Sequence, residues 1–222
     1  MKQLLLLLGL MFSTGFVQAF DHTHGEWERL LARNVVVSDS GSASRVNYAG
    51  MLAERASLNA YLSKLSAVTL AEYRGWKREQ QLAFLINAYN AFTVELILTR
   101  YPDIESIKDL GSLFRSPWKQ RFFTLLGKPR HLDNLEQDLI RAPGVFDEPR
   151  IHFALNCASI GCPMLRNGAY VAARLDQQLE EGIERFLSDP NRNRLCLRKI
   201  LRRRDNCAQG TTASNFLITI GR

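Results

Sequence analysis

The chain opens on an unbroken apolar run from Leu4 to Phe12, preceded by Met1 and Lys2 and followed by small and polar residues in "STGFVQA". A basic start, a short apolar centre and small residues before Ala19 form the pattern of a secretory signal peptide, with cleavage expected after Ala19. The run is too short to span a bilayer comfortably, and no later stretch reaches the roughly 20 apolar residues that a transmembrane helix needs. The expected product is an exported chain, periplasmic or extracellular, with no transmembrane segment after cleavage.

Beyond the leader, Trp27, Leu30 and Leu31 recur at helical spacing, and "SDSGSASRVNYAGMLAE" reads as a polar loop leading into a second helix from about Met51 to Leu65. A third helix is expected from about Lys77 to Arg100. Its apolar residues, Leu82, Leu85, Ile86, Tyr89, Phe92, Val94, Leu96 and Ile97, cover most of the circumference, so it should be central and packed on several sides. Tyr101-Pro102 should end it, because proline disfavours helical geometry in the residue before it. Two short apolar runs around Gly127-Lys128 predict a β-hairpin. Asp133, with Glu136 three positions on, has the spacing of a helix N-cap and its reciprocating carboxylate. "RIHFALN" alternates like a strand, with Ile151, Phe153 and Leu155 on one face and His152, Ala154 and Asn156 on the other. On such a strand His152 and Asn156 stand about 13 Å apart, too far to bond.

Removal of the leader leaves about 200 residues, enough for one domain with a sizeable core. The formal net charge of +7 would suggest a polyanion binder if it were spread over a surface. Instead, the seven basic residues of "NRNRLCLRKILRRR", Arg192, Arg194, Arg198, Lys199, Arg202, Arg203 and Arg204, account for the whole of it. The rest of the chain is balanced, and no nucleic-acid partner is expected. The divisions that follow are a signal peptide over 1–19, a helical region with a polar loop over 20–76, a core domain over 77–190 and a basic tail over 191–222.

The candidate chemistry gathers in "IHFALNCASIGCP". Cys157 and Cys162 could close a small disulfide, which export favours. With His152, and Glu136 or His131, they could instead contribute to a zinc site, although the spacing is not that of a paired-cysteine knuckle and no metal site is assigned. Alternatively, Cys157 or Cys162 could be a catalytic nucleophile, with His152 as general base and Glu136 as the carboxylate that orients it. Asn87 and Asn90, set in the apolar surface of the third helix, must find partners because burying an unpaired amide costs a few kcal/mol. They and Asn156 either support such a site or bond to neighbouring backbone. His22 and His24, beside Asp21, could bind a metal but read more simply as a mobile tail. No Gly-rich phosphate loop appears, and no cofactor is expected.

"FLINAYNAFTV", "GKPRHLDNLEQDLIR" and "PRIHFALNCASIGCPMLRNGAY", in this order, resemble the family called domain of unknown function 547 over about Lys77 to Leu187. The resemblance implies an α+β domain, in which a helical N-terminal half packs on a small, mainly antiparallel sheet with a hairpin, and a papain-like thiol fold is suspected. It matches Asn87, Tyr89, Asn90, Glu136, His152, Asn156, Cys157, Cys162 and Pro163 to signature positions, with Glu, His and Cys in a rearranged order for a papain-like site. After "LCLRKI" the chain departs from the family pattern, which suggests a frameshifted or truncated end near Asn193 to Ile200. Cys196 and Cys207 would then carry no function. Two readings of different class remain: a thiol-dependent hydrolase, transferase or small-thiol-binding enzyme, and a non-catalytic binding or scaffold domain with a structural disulfide. For either, the partner is an unidentified small molecule or peptide.

Overall fold

The computed structural model describes residues 19–112, 116–159 and 161–190. Most of the expected leader, the basic run, Cys196 and Cys207 lie outside the described residues.

Helix α1, Gly25–Asn34, buries Trp27, Leu30 and Leu31 as their spacing predicts. The following polar loop contains a short antiparallel ribbon, in which β1 (Val35–Val37) pairs with β2 (Ser44–Val46) around Gly41 at φ 72°. The single helix expected from Met51 to Leu65 is two, α2 (Tyr48–Ala53) and α3 (Arg55–Ala67), which break at Glu54. The side chain of Asn47 caps α2 by accepting the Gly50 N–H, and the Glu54 carboxylate is held by Arg33 and Asn34 of α1. Helix α4, Leu70–Arg74, starts with Thr69 accepting the Glu72 N–H.

Helix α5, Arg78–Leu98, is the axis of the domain. From Leu82 to Leu98 every residue except Glu95 is buried, and Glu95 itself is paired with Arg55 of α3 at 2.5 Å. A helix apolar on all sides must be surrounded, and α1, α2 and α3, the hairpin and the C-terminal segments supply the walls. It is long and apolar enough to cross a membrane by composition, yet its apolar window is 89% buried inside the protein, as a core helix is.

The expected hairpin is present. β3 (Phe123–Leu125) pairs with β4 (Lys128–Arg130), and Leu126 and Gly127 in the turn take φ 53° and 74°. Positive φ at both central residues matches the right-handed twist of the strands, and the second falls on glycine, which bears it without strain. Phe123 stacks on Phe92 of α5 at 3.9 Å between centroids.

Three expectations are corrected. Asp133 is not the N-cap of the next helix. His131 is, its Nδ1 accepting the Asn134 N–H at 2.9 Å, so α6 (Leu132–Asn134) begins earlier and widens into a π-helical turn over Leu135–Ile140 that carries Glu136. "RIHFALN" is not a strand. Pro149–Phe153 forms a 3-10 helix, because Asp147 sits at φ 48°, Glu148 accepts the Arg150 N–H and Pro149 supplies a fixed φ at the first helical position. His24 is no mobile tail: it is 2% exposed, and its Nδ1 lies 2.7 Å from the Tyr61 hydroxyl. Burial pushes that imidazole down to a pKa of about 4. The amphipathic helix α7, Leu175–Leu187, closes the described fold against the 3-10 helix. Over the described residues the fold is α+β, predominantly helical with two separate two-stranded antiparallel sheets.

Candidate functional site

Cys157 and Cys162 are joined as a disulfide, with their Cα atoms 5.9 Å apart, and no free cysteine occurs among the described residues. Their loop takes its shape from asparagines. Asn156 Nδ2 donates to the Pro163 carbonyl at 2.7 Å, while its Oδ1 accepts the Ala158 N–H at 3.1 Å. One side chain thus ties both ends of the disulfide loop and holds Ala158 at φ 55°. The Cys162 N–H returns to the Ser159 carbonyl at 2.9 Å. Both cysteines are half-buried.

Asn87 and Asn90 lie on one face of α5 and extend this design inward. Asn90 Nδ2 donates to the Ala154 carbonyl at 3.0 Å and its Oδ1 accepts the Asn156 N–H at 2.9 Å. Asn87 does the same for Tyr170, with Nδ2 to the carbonyl at 2.7 Å and Oδ1 from the N–H at 3.0 Å. Each amide therefore stands in for a neighbouring strand and satisfies backbone groups that no sheet serves. Gln178 of α7 repeats the device, donating to Ala169 and accepting from Val171, and Glu28 of α1 accepts the Ala169 N–H. Gly168 permits this approach, since a Cβ there would stand 3.2 Å from Glu28 Oε2. Gln178 and Glu28 were not legible as site support: neither interrupts an apolar pattern the way Asn87 and Asn90 do.

His152 and Glu136 belong to a second constellation. Glu136 accepts from Arg141 at 2.9 Å and from the hydroxyl of Tyr89, which is 1% exposed. Burial, reinforced by the Glu136 carboxylate, pushes the Tyr89 phenol well above its ordinary pKa. Arg141 in turn lines a depression of about 290 Å³ together with Ile140, Asp147, Glu148, Pro149, Ile151 and His152. Arg78 pins the rim, donating to the Val145 and Phe146 carbonyls with its guanidinium 5.3 Å from the Phe146 ring centroid. Glu148 is turned toward Arg150, which also reaches Asp176 and Glu180 of α7. The Arg150 guanidinium holds the Glu148 carboxyl below its ordinary range.

The sequence-predicted residues therefore fall into two groups. Asn87, Asn90, Asn156, Cys157 and Cys162 form one connected assembly. Glu136 and His152 meet only through Arg141 at the depression, which neither cysteine lines. Among the described residues no hydrogen bond joins His152 to Glu136 or to a sulfur.

No curated protein and no solved structure matches the chain. The model of one family, described as "Protein of unknown function, DUF547", matches residues 73–187, just over half of the 222 residues and the whole run from α5 to α7. With the asparagine staples, the bonded cysteines and the Glu136 turn all inside that span, this chain is a member of the DUF547 family.

Proposed function

We propose that the protein is an exported, non-catalytic binding domain whose Cys157–Cys162 bond fixes a surface loop and whose ligand, a small molecule or peptide, enters the depression beside Arg141 and His152. The observation that carries this reading is the pairing itself: with the two sulfurs bonded to each other, neither is a nucleophile. The asparagines support it, because the nitrogen and the oxygen of each amide are already engaged in holding backbone. The 290 Å³ volume is at the lower limit for small-molecule sites, and its mix of Ile140, Ile151 and Pro149 with charged groups suits a compact, partly apolar ligand.

One observation favours the thiol enzyme as a second reading. Glu136, through Arg141, and His152 converge on the same depression; neither cysteine lines it, so a thiol freed by reduction would have to move toward them to be served by that histidine. Thiol titration and peptide mass mapping of the folded, unreduced protein separate the two. The binding-domain reading expects no reactive thiol at Cys157 or Cys162 and a linked peptide pair. Rapid alkylation of Cys157 at pH 6, slowed by His152→Ala, would overturn it in favour of the enzyme.

A further inference from the structure

The segment that follows the expected cleavage point is packed with unusual care for a chain end. Phe20 inserts its ring among Phe84, Trp76 and His24, with centroids 5.2, 5.4 and 5.3 Å away. Its backbone nitrogen faces Glu72 Oε1 at 3.3 Å. Asp21 closes a turn by accepting from the Thr23 N–H and hydroxyl, and the His24 N–H returns to the Asp21 carbonyl at 3.1 Å. The His22 ring stands edge-on to Trp76 at 4.4 Å, with its Nδ1 buried and without a hydrogen-bond partner. The Asp21 and His22 N–H groups donate to no described residue.

We propose that cleavage after Ala19 turns Phe20-Asp21-His22 into a binding site for a square-planar divalent cation, Cu(II) or Ni(II). A free α-amine, the two amide nitrogens that follow and the Nδ1 of a histidine in third place can close fused chelate rings around one ion, in the geometry those metals prefer. Neither the two amides nor Nδ1 is engaged by a described residue, and the Phe20 nitrogen meets Glu72. That nitrogen is part-buried beside the Glu72 carboxylate, and Nδ1 is buried and orphaned, so the His22 ring must turn outward to meet the ion. Among the described residues no group of three or more His, Cys, Asp or Glu side chains could hold a metal, and this site needs none, because all its ligands but one are main-chain.

Closing the chelate removes one proton from the Phe20 ammonium and one from each amide, and leaves the imidazole neutral and bound through Nδ1. The amine gives up Glu72, whose carboxylate remains beside the metal-bearing segment. The ring of Phe20 keeps the segment docked on Trp76 and Phe84, so the ion is presented on the folded domain. The site rests on the export reading, since an uncleaved chain has no amine at Phe20.

The test uses the full-length gene, with the protein exported and purified from the extracytoplasmic fraction. Intact mass first establishes whether the chain begins at Phe20; any other start overturns the site for the natural protein, leaving the disulfide and depression untouched. Titration with Cu(II) alone, and then Ni(II) alone, is followed by visible absorption and circular dichroism. One equivalent should bind with the d–d spectrum of a four-nitrogen tetragonal complex. His22→Ala, and separately one alanine inserted between Phe20 and Asp21, which moves the histidine to fourth place, should each weaken binding by ~100-fold or more, since even outer-shell changes cost up to that much. If the insertion variant binds as tightly as the parent, the histidine pair and not the terminus holds the ion, and the proposal falls. It falls equally if the parent chain shows no stoichiometric binding.

Discussion

Replacing Asn90 with alanine removes a side chain 3% exposed to solvent and both of the bonds by which α5 holds the backbone leading into the disulfide loop. The Ala154 carbonyl, on a residue 3% exposed, then has no partner at that face, and the half-buried Asn156 N–H loses its acceptor. An orphaned buried polar group costs about 1–3 kcal/mol. Taking the full range for the carbonyl and the lower end for the N–H, the substitution should destabilise the domain by about 3 kcal/mol. Thr93→Ala, on the same helix, removes a buried methyl and a hydroxyl that back-bonds to the Tyr89 carbonyl, and orphans no backbone group. That control should cost about 1 kcal/mol, the value of the buried methyl it loses. Urea unfolding of the oxidised proteins, followed by circular dichroism with a common slope, measures both. Proteolysis in the 154–163 segment should also quicken in Asn90→Ala and not in Thr93→Ala. If Asn90→Ala costs no more than its control, with the segment equally protected, then the amide does not stand in for a strand and the account of this loop is wrong.

Cys157→Ser with Cys162→Ser should lower stability by about 2 kcal/mol, the chain-entropy value for so short a loop, read from the same unfolding midpoints against the oxidised parent. Tyr89→Phe should cost about 1.5–3 kcal/mol, because it deletes only the hydroxyl that donates to a charged carboxylate and leaves the ring in place; a larger loss would show that Glu136 does more than accept that bond. Glu148, whose folded pKa lies below the ordinary 4.5 because of Arg150, contributes stability that is fully present above that value and is lost as pH falls through the depressed folded one. The stability gap between the parent and Glu148→Gln should therefore narrow as pH is lowered from above 4.5, and a gap that widens on acidification would contradict the assigned cause.

Much of the frame was readable because its signals were local. α5 declares itself through apolar residues on all faces, and the β3–β4 turn through a glycine at the position that needs positive φ. Asn87 and Asn90 were visible as amides with no room to stay unpaired, but not what they bond, because Ala154, Asn156 and Tyr170 lie more than sixty residues away. The same long-range bonds explain why "RIHFALN" misleads. Alternation makes a strand only if a neighbouring strand offers a ladder, and here side-chain amides take that role while Pro149 winds the start. The Asp133–Glu136 spacing fails because His131, two positions earlier, caps first and leaves Glu136 for Tyr89 and Arg141. His24 was misjudged from its closeness to the expected chain end. Its burial depends on Tyr61 and on the aromatic ring cluster around Trp76 and Phe84.

The stapling of irregular chain onto α5 sets an uneven tolerance for change in length. Asn87 and Asn90 are spaced so that one helical turn serves two anchor points, Tyr170 and the 154–156 segment, at a fixed height and angle. One residue inserted between them would rotate one amide by about 100° and detach an anchor. Along the described part of the connection from Thr99 to Phe122 neither Asn87 nor Asn90 holds the backbone, and residues could be added at its exposed positions with little effect on the loop that holds the cysteines. The domain is gauged by its central helix, so the spacing of its irregular segments is kept in a single turn of α5.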